Sequence, residues 1–504
     1  MNAPTLPKAT LREWIGLLVI ALPCMLYSMD LTVLHLAVPA LTRALRPTSA
    51  ELLWIIDIYG FLVAGSLITM GTIGDRIGRR RLLLLGAAAF GAISIVAAFC
   101  PSAGTLIAAR ALLGLAGATV APSTLSLIRS MFLDPAQRTF AVGVWITSYS
   151  LGAVVGPLVG GALLARFWWG SVFLIGVPVM LLLLLLGPSL LPEYKDPNPG
   201  RADVWSAGLS LLSVLAVIFG LKRIAQNGVT PLALLCIALG VLLGVAFVRR
   251  QQGLADPLID LGLFRVPAFS ASLFSYGFAM LVLFGGFLFL PQFLQLVLGL
   301  GPFDAGLWTL PWGLSFIVGA LVTPSVSRKL PPALLMSGGL ALAALGFALF
   351  TQLDGKTSFW SFALGSSLFS LGLAPVFTLT TDLIVGSAPP ERAGAAAALS
   401  ETSAELGGAL GIAIFGSLGV AVYRRAIELA LSANLPQSVR DAAAGTLGGA
   451  SAAAAELPRA AGHALFGAAQ QAFTEGVRAC AAVSAAGALA LAVFVAVTLS
   501  KARA

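Results

Sequence analysis

The feature that most constrains this chain is a series of fourteen apolar segments, each long enough to cross a bilayer. A helical span needs about 20 mainly apolar residues. Hydrophobic residues make up 58% of the 504 residues and charged residues only 10%, whereas soluble domains usually carry about 25% charged residues. The sequence therefore predicts an all-α polytopic membrane protein. Its spans lie at about 14–38, 51–74, 81–100, 103–127, 139–163, 169–191, 204–221, 229–249, 269–297, 305–327, 333–352, 358–381, 394–420 and 478–500.

The net charge of +9 and the few metal-ligating residues exclude other classes. In a soluble protein such a charge can indicate nucleic-acid binding, but in a membrane protein Lys and Arg mark cytoplasmic loops. We therefore expect no nucleic-acid partner. The His and Cys residues are far apart and suggest neither a metal site nor a disulfide framework, and we expect no cofactor. They are His35, His463, Cys24, Cys100, Cys236 and Cys480.

The distribution of basic residues predicts the orientation of the chain. Fourteen spans place both termini on one side of the membrane. With the N-terminus inside, the inner loops and tails hold 18 Lys and Arg residues, and the short outer loops hold six. This bias predicts cytoplasmic N- and C-termini. The richness in Ala, Gly and Arg favours a bacterial source, so the cytoplasmic (inner) membrane is the expected location.

Two patterns suggest how the spans are organised. The basic loop at 71–81 has a degraded echo at 325–329, as expected for an internal repeat. We divide the chain into a six-helix half (1–191), an inserted helix pair with linkers (192–267) and a second half (268–504). The polar segment 421–477 is expected to lie outside the cell. Its apolar spacing around Ile427–Leu431 and Ala464–Phe473 allows a hairpin of amphipathic helices, and a flexible spacer is the alternative.

Four acidic residues lie inside predicted spans: Asp30, Asp57, Glu401 and Glu405. A charged Asp at mid-membrane costs about 2.5–3.5 kcal/mol on insertion scales. Since low dielectric disfavours a lone charge, such a carboxylate can exchange a proton for a cation. Glu401 and Glu405 are four residues apart and share one helix face. The alternative is a structural acid that pairs with Arg or with the backbone.

Three motifs indicate conformational roles. In the loop at 71–81, Asp75 can cap a neighbouring helix N-terminus, although a plain basic turn is the alternative. The intramembrane Arg110 requires an acid or carbonyl partner, for which Asp30 is a candidate, or else reaches to the outer interface. Small residues at 152–161 permit close helix packing. The residues concerned are Gly71, Gly74, Asp75, Arg76, Gly78, Arg79, Arg110, Gly152, Gly156, Pro157, Gly160 and Gly161.

Aromatic side chains accompany the acids and could bind a cation. A desolvated cation over an aromatic ring gains up to about 2 kcal/mol. The candidates for lining a substrate cavity are Tyr27, Trp54, Tyr59 and Trp145. For each of them, anchoring at the membrane interface is the alternative.

These motifs resemble the signatures of the major facilitator superfamily. Residues 71–81 and 106–118 are similar to its loop 2–3 and fourth-helix signatures, and residues 152–161 to the antiporter signature of the fifth span. Residues 53–59, 169–175 and 405–416 resemble methyl-viologen (SmvA-type) and quaternary-ammonium efflux pumps of the 14-helix drug:proton antiporter branch. The resemblance implies two six-helix halves plus two inserted helices, alternating access, and protonation and cation recognition at Asp30, Asp57, Glu401 and Glu405.

The expected function is export of lipophilic cations, such as quaternary ammonium biocides, dyes and methyl viologen, in exchange for protons. The expected partners are these cations, protons and the lipid bilayer, and we expect the protein to function as a monomer. The alternative is a transporter of an endogenous metabolite or lipid on the same fold. A membrane-embedded enzyme is disfavoured, because the sequence contains no nucleophile constellation or metal cluster.

Overall fold

The computed structural model describes residues 7–45, 47, 49–164, 166–194, 203–254, 257–389, 392–431 and 435–501, and its regular elements there are helices. Helices suit such an apolar chain because they satisfy every backbone polar group internally where lipid offers no partner. The first six spans are α1 Leu11–Leu45, α2 Ser49–Ile77, α3 Arg79–Ala98, α4 Ala103–Met131, α5 Pro135–Leu164 and α6 Ser171–Leu190.

The inserted pair consists of α7 Val204–Asn227 and α8 Pro231–Gly253, followed by the short 3₁₀ helix Leu261–Arg265. The remaining helices are α9 Pro267–Val297, α10 Pro302–Ser327, α11 Pro332–Phe350, α12 Phe359–Ser387, α13 Ala393–Ala430, α14 Gln437–Gly445, α15 Leu447–Ala455 and α16 Arg459–Lys501.

Thirteen helices in the described part of the chain are long and apolar enough to cross a membrane. The 30-residue helix α5 lies alongside α1 and supplies the fourteenth span. The prediction of an all-α polytopic membrane protein with fourteen spans is thereby confirmed. Several helices extend beyond the predicted ends, and the most consequential extension is that of α7, which reaches Asn227 rather than ending at residue 221.

The segment 421–477 differs from both expectations. The stretches predicted as a separate hairpin instead belong to the long helices α13 and α16, which reach Ala430 and begin at Arg459. Between them, α14 and α15 pack on the extended helices, and the Tyr423 hydroxyl donates a hydrogen bond to the carbonyl oxygen of Ala443 (2.7 Å). Helical apolar spacing therefore continues the spans instead of starting new elements.

Helix packing defines the two halves and the position of the inserted pair. Within the first half, α1 packs along α5 and α2 along α4; within the second, α9 packs along α13 and α11 along both α12 and α16. The halves meet where α2 and α4 contact α13, and where α5 contacts α10 and α12. Helix α7 packs on α8, on α2 and on α13, so the inserted pair touches both halves.

Candidate functional site

Glu401 and Glu405 lie one turn apart on α13, in the interior of the bundle. The Tyr27 hydroxyl on α1 donates to Glu405 Oε1 at 3.3 Å. The Tyr276 hydroxyl on α9 donates to Glu401 Oε1 at 3.5 Å. Each carboxylate therefore faces a phenol, and the Tyr27–Glu405 contact joins the two halves of the protein.

An aromatic cluster surrounds this pair of carboxylates. The ring of Tyr27 lies 6.0 Å from that of Tyr59 and 5.6 Å from that of Tyr149, measured between centroids. Tyr149 in turn contacts Trp145 at 4.8 Å, and the Trp145 indole donates to the Thr124 hydroxyl at 2.9 Å. The structure thus brings together three of the four predicted aromatics, together with Tyr149, which the sequence analysis did not include.

Asp30 forms an ion pair with Arg110, the partner considered from the sequence. The Arg110 Nη1–Asp30 Oδ2 distance is 2.5 Å, and Arg110 is only 1% exposed. Its Nε donates to the Ile55 carbonyl at 3.1 Å, and its guanidinium lies 4.6 Å from the ring centroid of Tyr59. Arg110 therefore does not reach to the interface, and the charge of Asp30 is already neutralised.

Asp57 also forms an ion pair, with a residue that the sequence analysis missed. Lys222 Nζ lies 2.5 Å from Asp57 Oδ1. The predicted span 204–221 ends one residue before Lys222, whereas α7 continues to Asn227. The sequence signal for this continuation is that apolar residues, Leu221 and Ile224, flank the basic pair Lys222–Arg223.

The segment 71–81, predicted as a loop, is helical except at Gly78, because α2 runs to Ile77 and α3 begins at Arg79. It joins the first half to the second. Asp75 accepts hydrogen bonds from the backbone N–H groups of Gly394 and Ala395 and from Arg79 Nε, each at 3.1 Å. It therefore caps the N-terminus of α13, where its charge is favourable to the helix dipole. A β-carbon on Gly71 would lie 2.5 Å from the Gly394 carbonyl oxygen, so glycine is required for this close approach.

A second polar contact joins the halves at the same end of the bundle. Arg138 Nε lies 2.7 Å from Asp382 Oδ1, and the Thr139 hydroxyl donates to Asp382 Oδ2 at 2.8 Å. Arg129 donates to the carbonyl oxygen of Val385. The sequence analysis missed Asp382, because a single acid at the end of a span has no local signature.

The small residues at 152–161 pack α5 closely on α1. A β-carbon on Gly152 would collide with the Met25 carbonyl, and one on Gly160 would lie 2.9 Å from Val33. Gly156 is also buried, whereas Gly161 faces open space. The side chain of Pro157 lies outside the described residues.

Residues 20–412 match the model of the Major Facilitator Superfamily. The chain belongs to this superfamily. The segment 71–81, Arg110 and the glycines of α5 are among the residues that resemble the sequence signatures of this superfamily.

Curated relatives place the chain in the drug-efflux branch. It is 41% identical to the multidrug efflux pump LfrA of Mycolicibacterium smegmatis, with 99% of each chain covered. It is 36% identical to the methyl viologen resistance protein SmvA of Salmonella typhimurium, with 92% of this chain and 93% of the relative covered. The protein is accordingly a multi-pass membrane transporter, and its relatives imply small-molecule substrates.

Solved structures show the same fold at low sequence identity. The human organic anion transporter MFSD10 superposes with a TM-score of 0.61 at 16% identity, with 96% of this chain and 99% of the other covered. A bacterial homolog of the human lysosomal transporter Spinster, in an inward-facing and unoccupied conformation, gives a TM-score of 0.58 at 19% identity, with 98% and 99% covered.

Proposed function

We propose that this transporter exports lipophilic cations, such as quaternary ammonium biocides, dyes and methyl viologen, in exchange for protons. The observation that carries the proposal is the environment of Glu401 and Glu405. Among the ion pairs of the described residues, neither glutamate has a basic partner. The hydrogen bonds described above reach them from tyrosine hydroxyls, which leave each carboxylate able to accept a proton or an organic cation.

The proposed exchange follows from charge balance. A carboxylate held away from water can be neutralised by a bound proton or by a bound cation, and the two compete for the same charge. A deprotonated Glu405 attracts the drug from the cytoplasm or inner leaflet. When the site opens outward, a proton takes the place of the cation, which is released.

An inside-negative membrane potential opposes export of positive charge and favours proton entry, so it drives the exchange only when more positive charge enters as protons than leaves with the drug. Moving one net charge across the membrane is worth about 2.3 kcal/mol per 100 mV.

The excess of Lys and Arg in the predicted inner loops supports cytoplasmic termini, and with them an inner-membrane location. We propose that the protein acts as a monomer, in which 1–191 and 268–504 rock about the site.

The remaining motifs act on conformation in this proposal. Asp75 holds the start of α13, about three turns from Glu405, and Arg110 neutralises Asp30. Neither is expected to touch the substrate. Both instead adjust the stability of one conformation relative to the other.

The direct test is transport in proteoliposomes. An imposed pH gradient should drive uptake of ethidium or methyl viologen by the wild-type protein, and Glu405→Gln should abolish it. Glu428→Gln is a matched control, because Glu428 is an exposed residue of the same helix. Flux of a neutral metabolite that is independent of the gradient would instead favour the alternative, a transporter of an endogenous metabolite or lipid.

A further inference from the structure

The Lys222 ammonium lies in a site built by α2 and α7. Trp54, Asp57 and Phe61 are three and four residues apart, so they share one face of α2. Lys222 Nζ is 2.5 Å from Asp57 Oδ1 and 4.6 Å from the centroid of the Phe61 ring. Phe219, one turn before Lys222 on α7, completes the arrangement.

The three rings pack against each other around this pair. Trp54 stacks on Phe219 with a centroid distance of 6.3 Å and an interplanar angle of 15°. Phe61 meets both rings edge-on, at 6.2 Å from Trp54 and 6.4 Å from Phe219. We call Trp54, Asp57, Phe61 and Phe219 the α2–α7 site.

This combination has the chemistry that recognises organic ammonium ions. Aromatic faces attract cations through the ring quadrupole, and aromatic cages bind quaternary ammonium ligands in this way. A carboxylate adds the opposite charge. Lysine carries its ammonium on a flexible four-carbon stem, so Lys222 is able to leave the site without movement of the helix.

We propose that the α2–α7 site is a subsite for a monovalent lipophilic cation, and that Lys222 occupies it as an internal competitor that the cation must displace. The proposal rests on the proposed function, since it assigns part of the cation path to the inserted helix pair. It also gives that pair a role in recognition.

The position of α7 explains how this exchange reaches the glutamates. Its apolar residues pack in one cluster with α2 and α13, which includes Phe61, Ile218 and Leu406. Leu406 directly follows Glu405, so this cluster reaches the turn of α13 that carries the glutamate.

The test measures ethidium binding to the purified full-length protein in lipid nanodiscs by fluorescence anisotropy. Lys222→Met removes the charge but keeps a chain of similar length, and it should tighten ethidium binding about tenfold, which corresponds to about 1.4 kcal/mol. Lys222→Arg keeps the charge and should bind as the wild type does. In an Asp57→Asn background, Lys222→Met should give no gain.

Arg250→Met is the matched control. Arg250 pairs with Asp203 at 2.7 Å within the same inserted helix pair, outside the α2–α7 site. It should leave ethidium affinity unchanged. Equal or weaker binding by Lys222→Met, or a gain that persists with Asp57→Asn, would overturn the proposal.

A second measurement uses the wild-type protein and does not depend on the folding of a variant. Acetylation of Lys222 by acetic anhydride, followed by mass spectrometry, should become faster when ethidium is bound, because the ammonium has lost its carboxylate partner. Unchanged or slower labelling at saturating ethidium would contradict displacement.

These binding experiments are separable from the proposed function. If Glu405→Gln left gradient-driven transport intact, proton exchange at the glutamates would fail, while displacement of Lys222 by ethidium could still be observed. Conversely, normal coupled transport without any effect of Lys222→Met on ethidium binding would reject only the internal competitor.

Discussion

Two pairs of membrane carboxylates in this protein differ in what neutralises them. Asp30 and Asp57 each lie 2.5 Å from a basic side chain of another helix. Glu401 and Glu405 receive hydrogen bonds from tyrosine hydroxyls at 3.5 Å and 3.3 Å. In the sequence, all four are acids within apolar segments, and the spacing of Glu401 and Glu405 on one helix face does not reveal which acids have a basic partner.

In the proposed mechanism, this difference separates structural acids from exchangeable ones. A buried ion pair is already neutral, and removing one partner leaves an uncompensated charge that is costly to bury. A carboxylate that faces only phenols can become neutral by taking up a proton or a cation. The Asp57 pair is intermediate, because the Lys222 side chain is 30% exposed and carries its ammonium on a flexible stem.

The largest effect is expected from breaking the Asp30–Arg110 pair. Arg110→Ala leaves Asp30 buried without a partner and should cost about 3–5 kcal/mol of stability. It should be seen as a lower melting temperature and less monodisperse protein on size exclusion. The double variant Arg110→Met/Asp30→Leu should recover most of the loss, and a melting temperature as low as that of Arg110→Ala would contradict the pairing argument.

The second-largest effect is expected on ethidium binding when Glu405 is neutralised. Glu405→Gln should weaken ethidium binding about a hundredfold, or about 2.7 kcal/mol, because it removes a carboxylate that forms no ion pair in the described part of the chain. The double variant Arg110→Met/Asp30→Leu, which removes both charges of the buried pair, should change the affinity by less than about threefold, which is under about 0.7 kcal/mol. Equilibrium binding to purified protein measures both, and equal losses would remove the distinction between the two pairs.

A site residue could be predicted from the sequence when its role is set by residues close to it in the chain. The cap that Asp75 provides and the need of Arg110 for a partner follow from their own segments. The position of Lys222 required the end of α7 to be known within one turn. Tyr149, Tyr276 and Asp382 could not be foreseen, since their roles depend on residues that are distant in the chain.

The fold was more predictable than the site, because apolar length alone constrains a chain in lipid. Apolar length was a weaker guide in 421–477, because the Ala-rich stretches there have helical spacing but are too polar to predict a span. There the extensions of α13 and α16 replaced the expected hairpin. Tertiary packing decided the outcome, as the contact of Tyr423 with Ala443 illustrates.

The smallest effect is expected at the ion pair between Arg250 and Asp203 at the start of α7. The hydrogen bond from Arg250, and that from Ser206, hold the pKa of Asp203 below its ordinary value. The pair therefore contributes stability above about pH 4 and loses it as the pH falls further. Because the pair lies near solvent, Arg250→Met should cost only about 0–1 kcal/mol at pH 7, and still less in acid. Thermal unfolding of the wild type and of Arg250→Met, at pH 7 and at a pH below about 4, measures this loss of stability. A loss as large as that of Arg110→Ala would erase the contrast between buried and exposed pairs.

The central claim is that Glu401 and Glu405 exchange a proton for a cation, and proton release tests it most directly. Purified protein in weakly buffered solution with a pH-sensitive dye is titrated with ethidium. We expect about one proton released per cation bound, as linkage requires when both compete for one carboxylate, and none from Glu401→Gln/Glu405→Gln. Saturable ethidium binding with no proton release, or release that persists in the double variant, would contradict the account.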